Sequence, residues 1–401
     1  MRRTCSHIWH CPYYLYLQLH YSGENYDAVR YKGSIIRDYH WLGLWGKKEK
    51  AQELVYRINL GVEPIMQANL RASAAIALGR IDSPVSRSAL RKVLAEKKDY
   101  DDEYDCSDMY KSMAIMSLGR LGDTRALPAL VELVRPTAPR GVLIPKERLR
   151  SPLRGFAALA LGLYARPVKT PQSEGDVNRK GYDKISLLLA NRLVDVKEEQ
   201  DFRAACALAL GLIGRTENLK YLQPAVKTVG DRDDLLIGYV MLARGMLGDK
   251  TILEPAEKYL AMSNNRTDRN GVLGRRAAVL SLGLTGSHQA VPVLENCWDL
   301  DYHVYRETAL AMSLCRGFGA TERLVKAMKE ASKPKAGALA ARCLGELHAR
   351  VRPSRLARMS NGSNYMMRTP RLMFYRAIAN EFLYTYLLAP SPKEWKTIGA
   401  D

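Results

Sequence analysis

The chain has few cysteines, no long apolar run, a deficit of acidic charge and none of the common catalytic signatures. Its 7 cysteines among 401 residues are odd in number and scattered, so full internal pairing is impossible and a disulfide framework is not expected. Cys206 and Cys343 sit inside Ala/Leu-rich stretches, where a free thiol behaves as a small apolar residue. A reducing, cytoplasmic setting is therefore expected. The longest apolar run, Ala204–Ile213, is half of the ~20 residues needed to span a bilayer, so no membrane span is expected. The opening MRRTCSHIWHCPYYLYLQLHY lacks a clean apolar core and a small-residue cleavage site, and does not read as a secretory signal. Asp and Glu total 42 against 61 Lys and Arg, a formal charge of +19. That excess disfavours basic partners and leaves acidic proteins, nucleic acid and anionic lipid. No Walker loop, dinucleotide fingerprint, HExxH or nucleophile elbow occurs, so the motifs assign no catalytic residue, no metal and no cofactor.

A globular interior is present. Apolar residues make up 47% and charged residues 26%, which excludes wholesale disorder. The strongest signal is self-similarity. LRASAAIALGRIDSPVSRSALRKVL begins at Leu70, YKSMAIMSLGRLGDTRALPALVELV at Tyr110, FRAACALALGLIGRTENLKYLQPAV at Phe202 and LGRRAAVLSLGLTGSHQAVPVLENC at Leu273. Each reads as helix, Leu-Gly turn, helix. The aligned glycines are Gly79, Gly119, Gly162, Gly211, Gly245, Gly283 and Gly345, with Cys315 in the glycine place of one copy. Steps of about 30–50 residues with two helices each are the mark of an α-solenoid. Alanine favours helix and lets neighbours approach closely. Gly211 is expected to supply backbone freedom where the chain leaves the helix. Asp82, Asp123 and Asp249 are placed to cap the following helix, and Pro128 and Pro292 fall in its first turn, where a missing amide costs little.

These strings resemble the HEAT repeat family, and within it the short bacterial HEAT-like repeats also found in phycobilisome lyases. The resemblance covers about Ile65 to Met359 and is best preserved at 110–134 and 202–229. It implies an all-α fold, an α-α superhelix (HEAT-like solenoid). Residues 1–50 form an atypical N-terminal cap, 51–359 the repeat solenoid and 360–401 a C-terminal capping helix and tail. The cap region holds four of the 7 histidines and ten of the 32 aromatics. The capping helix is Thr369–Leu388, with Phe374, Ile378, Phe382 and Leu388 on one side. In such a solenoid the first helix of each repeat lines the concave face. Insertions at 95–109, 135–152 and 261–272 then share one edge, with 165–184 on the other. Residues 135–184 carry eleven Lys/Arg against four Asp/Glu.

A cation recurs near the start of the concave helices: Arg71, Lys111, Arg154, Arg203, Arg275 or Arg276, and Arg306. One reading is a basic ladder for phosphates or carboxylates. The other is an internal stitch, since acids precede several of them, as in Asp108–Lys111, Asp201–Arg203 and Asp301–Arg306. The family commonly places an Asp–Arg stitch there. Other clusters are poorer. Cys5, His7, His10 and Cys11 lie too close together to surround one zinc ion. Asp99–Asp108 lacks the glycine and terminal glutamate of a calcium loop. The stretch Cys297–Arg306, with Trp298, Asp299, Asp301, Tyr302 and His303, is the best enzymatic candidate by analogy with HEAT-like DNA glycosylases.

The expected function is a non-catalytic HEAT-repeat scaffold or adaptor that binds an acidic protein surface through its concave face and insertion-rich edge. The alternatives are a nucleic-acid-binding solenoid with a basic concave surface, and a HEAT-like lyase or DNA glycosylase.

Overall fold

A computed structural model describes residues 71–72, 74–95, 107–135, 151–166, 179–228, 234–263, 269–300, 304–315, 318–330 and several positions between 337 and 347. The described residues are all-α, with no strand among them, as the HEAT-like solenoid class requires. The N-terminal cap, the capping helix Thr369–Leu388, the Cys5–Cys11 cluster and the acidic run from 99 to 106 lie outside the described residues.

The chain forms two compact units, which among the described residues divide between Ala129 and Leu130. In the first, helical residues 71–72 and 74–78 precede α1 (Pro84–Ala95) and α2 (Ser107–Leu121). Helix α3 (Leu127–Val134) crosses the division. The second unit continues with α4 (Ser151–Ala165), α5 (Arg179–Val194), α6 (Gln200–Ile213), α7 (Leu219–Thr228), α8 (Asp234–Met246), α9 (Leu253–Ser263), α10 (Arg269–Leu284), α11 (Val291–Leu300), α12 (Tyr305–Leu314) and α13 (Phe318–Glu330).

Within the second unit, α4, α6, α8, α10 and α12 pack one against the next as an inner row. Helix α5 lies on α6 and α7, α9 on α10, and α11 on α12 and α13. Inner-row sequences explain this placement. In α6 every residue from Phe202 to Ile213 is buried, and an apolar surface all round a helix has to be enclosed on all sides. Alanines and glycines make the enclosure possible. A Cβ on Gly162 would lie 2.8 Å from the Ala209 Cα, and one on Gly211 would lie 2.9 Å from the Ala243 Cα. Gly245 meets Ser281 and Gly283 meets Ala311 in the same way, and in the first unit Gly79 meets Ser117.

These contacts correct the expected role of Gly211. It lies inside α6, and its missing side chain serves helix–helix approach. The left-handed residue that ends the helix is Gly214, at φ 74°, whose amide donates to the Gly211 carbonyl at 3.0 Å. Gly122, Gly248 and Gly286 take the same positive φ. At Gly122 and Gly248 the next amide also reaches back, Asp123 N–H to Leu118 O and Asp249 N–H to Arg244 O, both at 3.1 Å. That is the paired C-terminal bonding of a Schellman end.

The same packing moves the glycine place in the α12 copy. Gly79, Gly162, Gly211 and Gly245 each meet the residue two before the next glycine or, for Gly79, Ser117, two before Gly119. Gly283 meets Ala311, so the equivalent position is Ser313, two before Cys315. Cys315 instead closes α12 and is buried in the C-terminal core with Cys343, Leu324 and Ala320.

Caps follow the expected plan with one change. Asp249 accepts from the Thr251 amide at 2.9 Å, and Asp123 from the Arg125 amide at 2.9 Å. In the first copy Ser83 accepts from the Ser86 amide at 3.1 Å, while Asp82 takes the Arg87 guanidinium at 2.8 Å. Pro128 and Pro292 occupy second positions of α3 and α11, as their missing amides require. The expected insertions are shorter than the sequence suggests, because helices run into them. Helix α9 continues to Ser263 and α10 starts at Arg269, leaving only 264–268 between them; α5 likewise starts at Arg179, inside 165–184.

Candidate functional site

Arg71, Lys111, Arg154, Arg203 and Arg275 each stand eight positions before the packing glycine of their helix. Eight residues are a little over two turns, so all five fall near the helix start and on one side of the glycine stripe. There Arg154, Arg203 and Arg275 meet the end of the preceding outer helix. Arg203 Nε donates to the Leu193 carbonyl of α5 at 2.8 Å. Arg275 Nη1 donates to the Ser263 carbonyl of α9, and Arg154 Nε to the Leu133 carbonyl of α3 at 3.4 Å. The last carbonyls of a helix have no intrahelical donor and carry the negative end of its dipole, so a guanidinium satisfies both.

Aromatic stacking adds a second repeat-to-repeat link. The Arg71 guanidinium lies 3.8 Å from the centroid of Tyr110, and that of Arg154 lies 4.1 Å from the centroid of Phe202. In both cases the aromatic residue directly precedes the next cation of the series, Lys111 or Arg203. Guanidinium planes stack well on such rings, and partial burial strengthens the attraction.

Carboxylates complete the set. Arg154 Nη1 and Nη2 grip Glu198 Oε2 and Oε1 at 2.6 and 2.7 Å. Arg192 Nη1 adds bonds to Glu198 at 3.3 Å and Asp195 at 3.0 Å. Burial alone raises the Glu198 pKa, but hydrogen bonds and charge from Arg154 and Arg192 outweigh it and hold the carboxyl below its ordinary value. Arg276 Nη2 meets the fully buried Glu307 at 2.6 Å. In α8, Arg244 Nε reaches Asp249 at 2.8 Å, and Arg91 pairs with Asp123 in the first unit. Burial raises the Asp249 pKa, yet Thr251 and Arg244 together lower it.

The structure therefore places the sequence candidates as follows. Lys111, Arg203 and Arg275 are buried, at 5%, 5% and 3% exposure, so their ammonium and guanidinium groups lie within the fold rather than on an open groove. Arg71, Arg154 and Arg276 are half-buried. Arg306 lies on α12 with its side chain outside the described residues. Asp108 and Asp301 are likewise outside them. The carboxylate that meets Arg154 is Glu198, five residues before Arg203. The sequence pairs Asp201 with Arg203 and does not single out Glu198, one of three acids in the run EEQD.

Trp298 and Tyr305 of the enzymatic candidate stretch meet edge-on, with ring centroids 4.4 Å apart, and Arg323 lies 5.8 Å from the Trp298 ring. Burial raises the Tyr305 pKa, with the charge of Cys343 adding to it and that of Arg323 opposing it. The side chains of Asp299, Asp301, Tyr302, His303 and Arg306 lie outside the described residues. Burial also pushes the Cys206 thiol up and the Cys315 thiol up to about 12, so both are inert apolar fillers in the fold.

The family model described as PBS lyase HEAT-like repeat matches residues 70–96 and 111–135. These two stretches are PBS lyase HEAT-like repeats. The two matched HEAT-like repeats contain Arg71 and Lys111 with their glycines, Gly79 and Gly119. Among curated proteins there is no match. Among solved structures, this HEAT-like chain is similar to human deoxyhypusine hydroxylase in complex with glycerol. The identity is 16%, the match covers 76% of this chain and 97% of that one, and the TM-score is 0.29. No helix among the described residues is long and apolar enough to cross a membrane.

Proposed function

We propose that this HEAT-like repeat chain is a non-catalytic scaffold that binds an acidic protein partner. The observation that supports it most is a net charge of +19 on a helical-repeat frame. The inner-row arginines described above are engaged by carbonyls, rings and carboxylates of neighbouring helices. Most of the surplus charge lies in two stretches of the sequence. Residues 135–184 carry eleven Lys/Arg against four Asp/Glu, and 331–401 carry 12 against 4. Such a surplus draws an acidic surface by long-range attraction and speeds its docking.

Immobilised full-length chain is the bait that tests this reading. Acidic proteins are expected to be retained at low ionic strength and released as salt rises. Retention of nucleic acid alone, with a steep salt dependence, would replace the reading with a nucleic-acid-binding one. Retention of nothing would remove both.

A further inference from the structure

Helix α5 and the turn that follows it hold three of the large apolar side chains most exposed among the described residues. Leu187 is 50% exposed, Val194 48% and Val196 74%. Leu187, Asn191 and Val194 are spaced by four and three residues, so they share one face of α5, and all three are exposed. Lys184 lies one turn earlier on that face, and Lys197 follows Val196. Both lysines are exposed, and neither ammonium has a partner among the described residues. The stripe from Lys184 to Val194 runs about 15 Å along the helix at ~1.5 Å per residue.

The exposed valine at the tip is not on a loose loop. Lys197 N–H donates to Asp195 Oδ1 at 3.1 Å, and Glu198 N–H to the Asp195 carbonyl at 3.1 Å. Arg192 ties Asp195 and Glu198, and Arg154 of α4 grips Glu198 with both nitrogens. The turn is thus fixed from both neighbouring helices while Val196 faces water. Holding an apolar side chain out in a fixed position loses the burial it would gain by folding back, and it lowers the entropy cost of docking.

We infer that the outer face of α5 and its pinned turn dock an acidic amphipathic helix of a protein partner, with Leu187, Val194 and Val196 as the apolar seat and Lys184 and Lys197 as charge clamps. The inference rests on the scaffold reading above and names its contact surface. Charge selects this occupant. The two unpaired ammoniums flank the apolar seat, against one free exposed carboxylate, Glu199, on the turn; Asp183 is engaged by Arg215 at 3.2 Å. A second copy of a chain of charge +19 would be repelled. An amphipathic helix with apolar residues seven apart would meet Leu187 and Val194 together, and glutamates beyond them would reach the lysines.

The test uses a fluorescent synthetic helix with leucines seven apart flanked by glutamates, titrated with full-length chain. Leu187→Ser/Val194→Ser and Lys184→Glu are the variants, and their exposed positions should leave the melting temperature unchanged. Binding is expected to weaken about tenfold or more in each, as loss of about 1.4 kcal/mol requires. Equal affinity for the double variant, or no binding to the wild-type chain, overturns the inference. So does sedimentation showing a wild-type dimer that the double variant loses, which would assign the face to a second copy. If immobilised double variant still retains acidic proteins as wild type does, the scaffold reading stands and this surface is wrong. If wild type retains none, that reading falls by itself.

Discussion

Two glycines three residues apart do different work in three of the repeats. Gly211 is helical and lets α6 lie against the backbone of α8, while Gly214 turns the chain at φ 74°. The pairs Gly245/Gly248 and Gly283/Gly286 repeat the division. An added methyl at Gly211 has no room, because its neighbour is the Ala243 backbone, which cannot rotate away. Gly211→Ala should cost about 1–3 kcal/mol, the usual range for overpacking a tight interior. Gly214→Ala should cost about 1–2 kcal/mol for a different reason, the left-handed backbone of a residue with a Cβ. Asparagine separates the two causes. Gly214→Asn should recover part of the loss, because asparagine tolerates that backbone, whereas Gly211→Asn should be worse than Gly211→Ala. Urea unfolding of the four variants measures this, and the reverse ranking would show that the assignments are exchanged. The LGxxG spacing was visible in LGLIG and LGRLG. It reads as one turn signal because glycine serves both purposes and sequence does not report φ.

At the scale of the element, the guanidiniums act as external caps. The outer helix α5 ends at Val194, and Arg203 of the next helix supplies a donor its last turn lacks. The helical hairpins and most caps were legible in the sequence, because periodicity, alanine content and Asp or Pro positions are local properties. The destination of each arginine was not, because Leu193 and Ser263 offer only their backbone carbonyls, which no residue type announces. Glu198 shows the consequence for pH. Its carboxyl lies below the ordinary glutamate value in the folded chain despite burial, because of Arg154 and Arg192. A depressed folded-state pKa means that the unfolded chain takes up this proton first as pH falls. The stabilisation is therefore complete above the ordinary glutamate value and is lost as pH drops through the lower folded value. Glu198→Gln should cost about 1.5–3 kcal/mol near neutral pH, the range for a hydrogen bond to a charged group. The gap between variant and wild type should close on acidification. Parallel melting curves from neutral to acid pH check this, and a gap that stays constant would show that the charge of Glu198 is immaterial.

For the molecule as a whole, the second unit is a row in which each inner helix touches mainly the ones before and after it. Stability in such a row is close to a sum of hairpin terms and nearest-neighbour junctions. The junctions are chemically alike: Gly162 on Ala209, Gly211 on Ala243, Gly245 on Ser281, Gly283 on Ala311. Damage at one junction should then stay near it. Gly245→Ala places a methyl against the Ser281 backbone and should push α8 and α10 apart. Amide hydrogen exchange followed by mass spectrometry should speed up in α8 and α10 and in the outer helix α9, which packs on α10. Peptides from α4, two junctions away from α8, should exchange at the wild-type rate. Equal acceleration in α4 would mean that the unit unfolds as one block, and that the ion cluster of Arg154, Arg192 and Glu198 couples distant hairpins more strongly than the glycine contacts divide them.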